Sequence, residues 1–320
     1  MNKQSKHVIL GTGQLGLAIM DELVAQGEQV KLVNRSGRVS EALPAGVTLE
    51  TADLNDPAQV TAVCTGAEIV FFCAQPPYDK WPELFPPLAA AVLAGVSRAN
   101  ARLVFGSNVY MYGPTNGRPI DEELPYAAQT RKGRARAEVA NMLLEAHAQG
   151  RVPVVIGRAA DFYGPRVTDS MAGDMLFGAA VEGESGMLAG NIDLPHTLTY
   201  IRDFARALVT LSLHEEAYGR AWHVPSADTI TPRQFLGLIE AEVGRPVKVR
   251  VVGRRMMRLV GLFNPMARET AEIMYEFDEP FVIDDSRYVA AFGNGVTPHD
   301  EAIRETVAWY RTYKQAQWEV

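Results

Sequence analysis

The chain has 320 residues, 47% of them hydrophobic, 22% charged and 8% aromatic, a composition that excludes collagen-like, disordered and disulfide-scaffold proteins. Its length implies two domains, or one large α/β unit with an appendage. A net charge of −7, from 31 basic against 38 acidic residues, argues against a nucleic-acid partner, and two cysteines, Cys64 and Cys73, fit a reducing compartment.

No apolar run approaches the roughly 18 residues of a membrane helix. Met1–Lys6 leads straight into a short apolar strand, too short for a signal-peptide core, so a cytoplasmic protein with no membrane partner is expected. His7–Leu10 reads as a buried strand and Leu15–Ala25 as a helix. Val30–Val33 and Val47–Thr51 are the second and third strands, and Asp56-Pro57 is a helix start with an N-cap acid and proline at the first helical position. Glu68–Cys73 is a continuous apolar strand, as a doubly covered parallel strand should be. A helix over Trp81–Asn100, a strand at Leu103–Phe105, a helix over Arg134–Ala148 and a strand at Val152–Ile156 continue the rhythm.

This βαβ alternation predicts an α/β fold, a doubly wound parallel sheet of the Rossmann type. After Pro165 the rhythm breaks. Arg166–Pro195 is rich in Gly and Met with no clear long element; strand and helix return at Thr199–Ile201 and Asp203–Leu213, then a strand at Ala221–Val224 and a capped helix after Thr231-Pro232. From Val247 onward the chain reads as mostly helical with short extended pieces. The expected division is a dinucleotide-binding domain over 1–165, with 198–226 returning to it, and a smaller C-terminal substrate or lid region over 166–197 and 227–320.

Gly11-Thr-Gly13-Gln-Leu-Gly16 is a G-x-G-x-x-G that directly follows a predicted strand and opens a helix. Gly11 permits the tight turn, Gly13 lets backbone approach a pyrophosphate, and Gly16 lets the helix pack close to the strand; the helix N-terminus offers N–H groups to phosphate. NAD-selective sites place an acid at the end of the second strand. Here that region is Val33-Asn34-Arg35-Ser36-Gly37-Arg38, with no acid, and a guanidinium can grip a 2′-phosphate. NADP(H) is therefore the expected cofactor, with NAD the less favoured. Asp53 could accept from an adenine amino group or simply cap a turn. The expected cofactor set is Gly11, Gly13, Gln14, Leu15, Gly16, Asn34, Arg35, Ser36, Asp53, Leu54, Cys73, Ala74, Gln75 and Ser107.

Beyond the glycine turn, Leu103–Gly113 ends in Tyr112-Gly113, Arg158–Pro165 ends in Tyr163-Gly-Pro, and His196–Asp203 ends in an Asp that starts a helix. With the closing Glu305–Tyr310, these segments resemble the short-chain dehydrogenase/reductase superfamily, in its extended NAD-dependent epimerase/dehydratase-like branch. The resemblance implies an acid/base Tyr-x-x-x-Lys at the start of the helix after the fifth strand. Physically, the lysine lowers the phenol pKa so that the phenolate can exchange a proton during hydride transfer. Here the segment is Tyr126-Ala-Ala-Gln-Thr130-Arg-Lys132-Gly-Arg134, followed by Glu138, and aligning Glu138 with the family's glutamate puts Thr130 in the tyrosine place and Arg134 in the lysine place. The serine place falls to Asn108, beside Ser107.

The candidate catalytic residues are thus Asn108, Tyr110, Thr130 and Arg134, with Tyr110 favoured as acid if strand alternation aims it at the pocket. Tyr112 and Tyr163 are further candidates, with packed aromatics as the alternative account of each. The leading expectation is an NADP(H)-dependent oxidoreductase acting on a small carbonyl or alcohol substrate. The alternatives are a catalytically silent NADP(H)-binding regulator and an NAD-dependent sugar-nucleotide epimerase or dehydratase. A homodimer is compatible with the sequence.

Six histidines show no pair at metal-ligand spacing, so no metal is expected, and only His196 falls near the expected lid. Gln75 and Trp81 could shape a substrate pocket. Arg254–Arg258 reads as a basic amphipathic patch, and Met171, Met175, Phe177, Met256, Met257 and Met274 as an adaptable apolar lid or as ordinary core.

Overall fold

The computed structural model describes residues 6–263 and 265–318; the opening Met1–Ser5, read above as leading directly into the first strand, lie outside them. In chain order the elements are β1 (His7–Leu10), α1 (Gln14–Ala25), β2 (Val30–Asn34), β3 (Val47–Thr51), α2 (Pro57–Cys64), β4 (Ile69–Phe72), α3 (Trp81–Ala99), β5 (Arg102–Ser107) and α4 (Arg131–Ala148). Then follow β6 (Val154–Arg158), β7 (Asp161–Tyr163), α5 (Ala179–Glu182), β8 (Gly186–Ala189), β9 (Leu198–Tyr200), α6 (Ile201–Leu213) and β10 (Ala221–His223). The chain closes with α7 (Pro232–Val243), β11 (Val249–Val252), α8 (Arg254–Val260), α9 (Pro265–Glu272), α10 (Tyr275–Asp278), α11 (Ser286–Phe292) and α12 (His299–Trp318). Short 3-10 turns at Tyr78–Lys80 and Tyr110–Tyr112 precede α3 and follow β5.

The chain divides into two compact units of about equal length: 1–111 with 131–158 and 204–224, and 112–130 with 159–203 and 225–320. The first unit holds a seven-stranded parallel sheet in the order β10-β6-β5-β4-β1-β2-β3. Its order reverses between β1 and β4, the topological switch point of a doubly wound sheet. The fold is Rossmann-like, as the alternation predicts. Every residue of β1 and β4 is buried, which is why both read as unbroken apolar runs. Phe72 stacks on Phe105 at 5.2 Å, and Phe85 from α3 meets both rings.

Local signals act as the sequence implies. The Asp56 carboxylate accepts the Ala58 N–H at 2.8 Å, with Pro57 at the first helical position. Most boundaries shift by a residue or two, and two shifts stand out. Strand β6 begins at Val154 because Pro153 has no N–H to give to a ladder, and α4 starts at Arg131 rather than Arg134.

The second unit is built from pairings between distant segments. β7 pairs in parallel with β9, and β8 with β11. Of the stretch 198–226, Leu198–Tyr200 belongs to this unit, whereas Phe204–Val224 belongs to the first. Its core is aromatic: Tyr163 meets Phe177, Tyr200 and Phe235, and Phe177 stacks on Tyr310 at 5.9 Å. The methionines divide. Met257 and Met274 are buried, whereas Met175 and Met256 are exposed. In the basic stretch, Arg254 pairs with Asp278 at 2.7 Å, and Arg255 and Arg258 face solvent.

Helix α7 starts with a complete capping box, in which Thr231 Oγ1 accepts the Gln234 N–H and Gln234 Oε1 accepts the Thr231 N–H. Thr231→Ala should lower stability by about 1 kcal/mol, read as a lower midpoint in thermal unfolding. Glu276 is buried, and burial, reinforced by the charge of Asp161, pushes its carboxyl well above the ordinary value of 4.5. Since the folded-state value exceeds the unfolded one, Glu276 stabilises the fold below the unfolded value, and that contribution is lost as pH rises through the folded one. Thermal unfolding from pH 4.5 upward should show the wild type losing stability that Glu276→Gln retains.

Candidate functional site

The first unit closes around the turn between β1 and α1. Gly11 has φ +105°, and a side chain there would stand 2.6 Å from the Ala74 backbone nitrogen. At Gly16 a Cβ would lie 2.0 Å from the Gly11 carbonyl oxygen, so the first turn of α1 rests backbone on backbone against the loop. Gly13 differs, because nothing lies within 4 Å of the place its Cβ would take. Gly13 is the N-cap of α1, no side chain caps it, and the first turn carries no acid. The N–H groups at Gln14, Leu15 and Gly16 belong to the first turn, which has no intrahelical carbonyl to receive them, at the positive end of the helix.

Beside this turn lies a crevice of about 430 Å³. It is lined by Gly11, by Asn34 and Arg35 from the end of β2, by Ala52, Asp53, Leu54 and Asn55 after β3, by Ala74, Gln75, Pro76 and Pro77 after β4, and by Leu84 and Leu88 of α3. Seven of the expected cofactor residues, Gly11, Asn34, Arg35, Asp53, Leu54, Ala74 and Gln75, are therefore brought together on its walls. The others stand around it in the chain. Ser36 is exposed in the turn after β2, and Cys73 directly follows β4, where burial pushes its thiol up and leaves it inert. Ser107 ends β5, buried, with no hydrogen-bond partner for its Oγ among the described residues.

Asn34 organises the turn after β2. Its Nδ2 donates to Thr12 Oγ1 at 2.7 Å and to the Arg38 carbonyl at 2.8 Å, and its Oδ1 accepts the Gly37 N–H at 2.7 Å. This neutral amide stands where a carboxylate would repel phosphate, and it ties the Arg35–Arg38 turn to the glycine loop. Arg35 and Arg38 are left exposed. Asp53 is held below the usual carboxylate range by two bonds from Asn55, with a smaller contribution from the Arg35 charge.

The expected catalytic residues lie on two segments, Asn108 and Tyr110 just after β5 and Thr130 and Arg134 at the start of α4. Asn108 Oδ1 accepts the Tyr110 N–H at 3.3 Å, and the segment turns into 3-10 geometry at Tyr110–Tyr112. Strand alternation therefore does not apply to Tyr110; the turn sets its direction instead, placing its hydroxyl 3.4 Å from that of Tyr78. Thr130 is half-buried just before α4, and Arg134 lies on the exposed face of that helix. Lys132 and Arg136, one turn apart, lie on its buried face with Val139, Ala140 and Leu143. Sequence reasoning missed both, although the 3.6-residue spacing of those apolar positions carries the signal. It also missed Asn55, Pro76, Pro77, Leu84 and Leu88, for which no local pattern exists.

In the second unit, Tyr112 packs edge-on against Tyr126. Tyr163 is fully buried with its hydroxyl 3.1 Å from His299 Nδ1, and burial raises its pKa, so it behaves as a packed aromatic. His196 Nε2 lies 3.0 Å from Asp161 Oδ2, and its ring stacks on Phe277 and Phe281. No group of three or more His, Cys, Asp or Glu among the described residues is arranged to hold a metal, and no described helix is long and apolar enough to cross a membrane.

These geometries separate the two glycines. Gly16→Ala should lower the unfolding midpoint by an overpacking cost of about 1–3 kcal/mol or more. Gly13→Ala, with open space and extended backbone, should cost less, about 1 kcal/mol or under from the poorer N-cap; calorimetry of the two variants checks the contrast.

Comparison with known proteins agrees with the fold. No curated protein matches the sequence. A dTDP-glucose 4,6-dehydratase from Streptomyces venezuelae, solved with NAD bound, superposes with TM-score 0.79 at 16% identity, covering 97% of this chain and 98% of the other. A putative epimerase from Burkholderia cenocepacia gives 0.77 at 20% identity over 98% and 100%. A nucleoside-diphosphate-sugar epimerase from Pseudomonas aeruginosa gives 0.77 at 18% identity over 97% and 99%. The model of the NAD dependent epimerase/dehydratase family matches residues 8–224, well over half the chain, and the protein belongs to that family.

Proposed function

We propose that the protein binds NADP(H) in the crevice of its first unit and acts as an oxidoreductase on a small carbonyl or alcohol substrate by hydride transfer. The observation that carries the cofactor reading is the contrast between Gly16, with no room for a Cβ, and Gly13, with open space before the uncapped start of α1. Such a cradle accepts a pyrophosphate on backbone N–H groups. Gly11, Gly13, Gln14, Leu15 and Gly16 would hold the diphosphate, and Asp53 and Leu54 the adenine. When bound, the nucleotide supplies hydride chemistry that the side chains cannot.

NADP(H) is preferred over NAD because the end of β2 offers an amide and an exposed guanidinium. Asn34 has its side chain committed to Thr12, Gly37 and Arg38, so it brings no negative charge, and Arg35 lines the wall. A bidentate arginine contact to a 2′-phosphate is a strong charge-assisted pair. Asn108, Tyr110, Thr130 and Arg134 remain the proposed reacting set, with the Tyr110 hydroxyl, 3.4 Å from that of Tyr78, as a member of the proton-transfer path.

Two specific observations favour other readings. Arg134 is exposed and Thr130 is a poor acid, which suits a catalytically silent protein that reports redox state by binding. The neighbours solved with NAD, and the sugar-nucleotide enzymes among them, suit an NAD-dependent epimerase or dehydratase.

Fluorescence titration with NADPH and NADH distinguishes these readings. NADPH should bind at least tenfold more tightly, Arg35→Ala should remove most of that preference, and Gly13→Ala should weaken both nucleotides while leaving the fold intact. Tighter NADH binding overturns the NADP(H) assignment, and tight binding without NADPH oxidation across a carbonyl panel favours the silent reading.

A further inference from the structure

Helix α4 turns two cations inward. Lys132 is fully buried with its ammonium 4.1 Å from the centre of the Tyr78 ring. Arg136, 1% exposed, lies with its guanidinium carbon 4.1 Å from the Trp81 ring and 4.7 Å from the Phe85 ring. Arg136 Nε and Nη1 have no hydrogen-bond partner among the described residues. Burying such a cation without hydrogen bonds is costly, and cation–π contact offsets only part of it.

Two phenols act electrostatically on this guanidinium. Burial pulls Arg136 down to about 9, and the Tyr110 and Tyr78 hydroxyls act in the opposite sense. Those hydroxyls stand 3.4 Å apart, so a slight approach lets them share one proton. Tyr110 is buried, whereas Tyr78 is half-exposed and directly follows Pro76 and Pro77, which line the crevice. Other charges on the packed elements point away: Asp79 and Lys80 are exposed, Arg134 is exposed, and Glu83 pairs with Arg131 at the surface. Negative charge formed on the phenol pair would therefore face two buried cations in a low-dielectric setting.

We propose that Tyr78 and Tyr110 work as one proton-transfer pair, with Tyr78 meeting the substrate oxygen and with Lys132 and Arg136 as positioning residues that stabilise the tyrosinate. This rests on the hydride-transfer reading above and extends it to a pair assembled from three separate segments. In the reducing direction the substrate carbonyl carbon gains hydride from reduced nicotinamide, and its π pair moves to oxygen. That oxygen takes the phenolic proton of Tyr78, the O–H bond pair remains on the tyrosines as a shared tyrosinate, and solvent returns the proton.

Ultraviolet titration of the cofactor-free protein at the tyrosinate band tests the pair without turnover. The wild type should show a tyrosine ionising below the ordinary phenol value of about 10. That phase should vanish in Tyr78→Phe and Tyr110→Phe, move upward in Arg136→Met and return in Arg136→Lys; Lys132→Gln gives the same upward move if Arg136→Met fails to fold. In NADPH-dependent carbonyl reduction, Tyr78→Phe should lower kcat about a hundredfold or more, with NADPH affinity within about twofold of wild type. No early-ionising tyrosine in the wild type, or wild-type turnover by both Phe variants, overturns the proposal. Lowered thermal stability in the Arg136 and Lys132 variants, with an unchanged titration, assigns the cations a packing role and overturns it too. Failure of the nucleotide reading shows separately, as absence of NADPH and NADH binding by the wild type, while the titration still decides the phenol pair.

Discussion

The first unit depends on one backbone contact, the seating of the Gly16 turn of α1 on the Gly11 carbonyl, with Gly11 itself pressed against Ala74. No side chain fits at either place. That contact fixes the start of α1 directly over the end of β1, and it draws the loop after β4 in beside the loop after β1. Because β1 and β4 are neighbours in the sheet, their C-terminal ends open side by side at the switch point. The crevice lies beside this packing, walled by Gly11 and by the segment after β4.

Around that opening the polar groups divide their work by charge. The end of β2 carries an amide already committed to three partners, so its contribution is rigidity and neutrality. Cations are left to define the field, Arg35 at the crevice wall, Lys132 over the Tyr78 ring and Arg136 over the Trp81 and Phe85 rings. The last two lie among aromatic rings, where a charge is felt more strongly than in water. A buried arginine with bare N–H groups is expensive, and such expense is commonly met at sites that handle charge.

Much of this organisation was legible locally. The βαβ alternation, the doubly covered strands, the proline-and-acid helix start at Asp56 and the capping signal at Thr231 each arise from neighbours in sequence, and each appears where expected. The glycine spacing likewise marked the loop that lines the crevice. The pairing of β8 with β11 and of β7 with β9 was not legible, since short strands of mixed burial carry little periodicity and their partners lie tens of residues away. The reacting groups were harder still. Alignment of Glu138 pointed to Arg134, but the helix turns that residue to solvent and buries its neighbours on either side.

The sequence by itself determined the fold class and the anion-ready loop, because strand and helix periods and the steric needs of glycine act within a few residues. Only the tertiary structure decided which face of α4 is buried, that a 3-10 turn brings Tyr110 to Tyr78, and that Lys132 and Arg136 pack on the Tyr78, Trp81 and Phe85 rings. Those contacts join segments more than thirty residues apart. Their geometry is set by packing against α3, which no local pattern encodes.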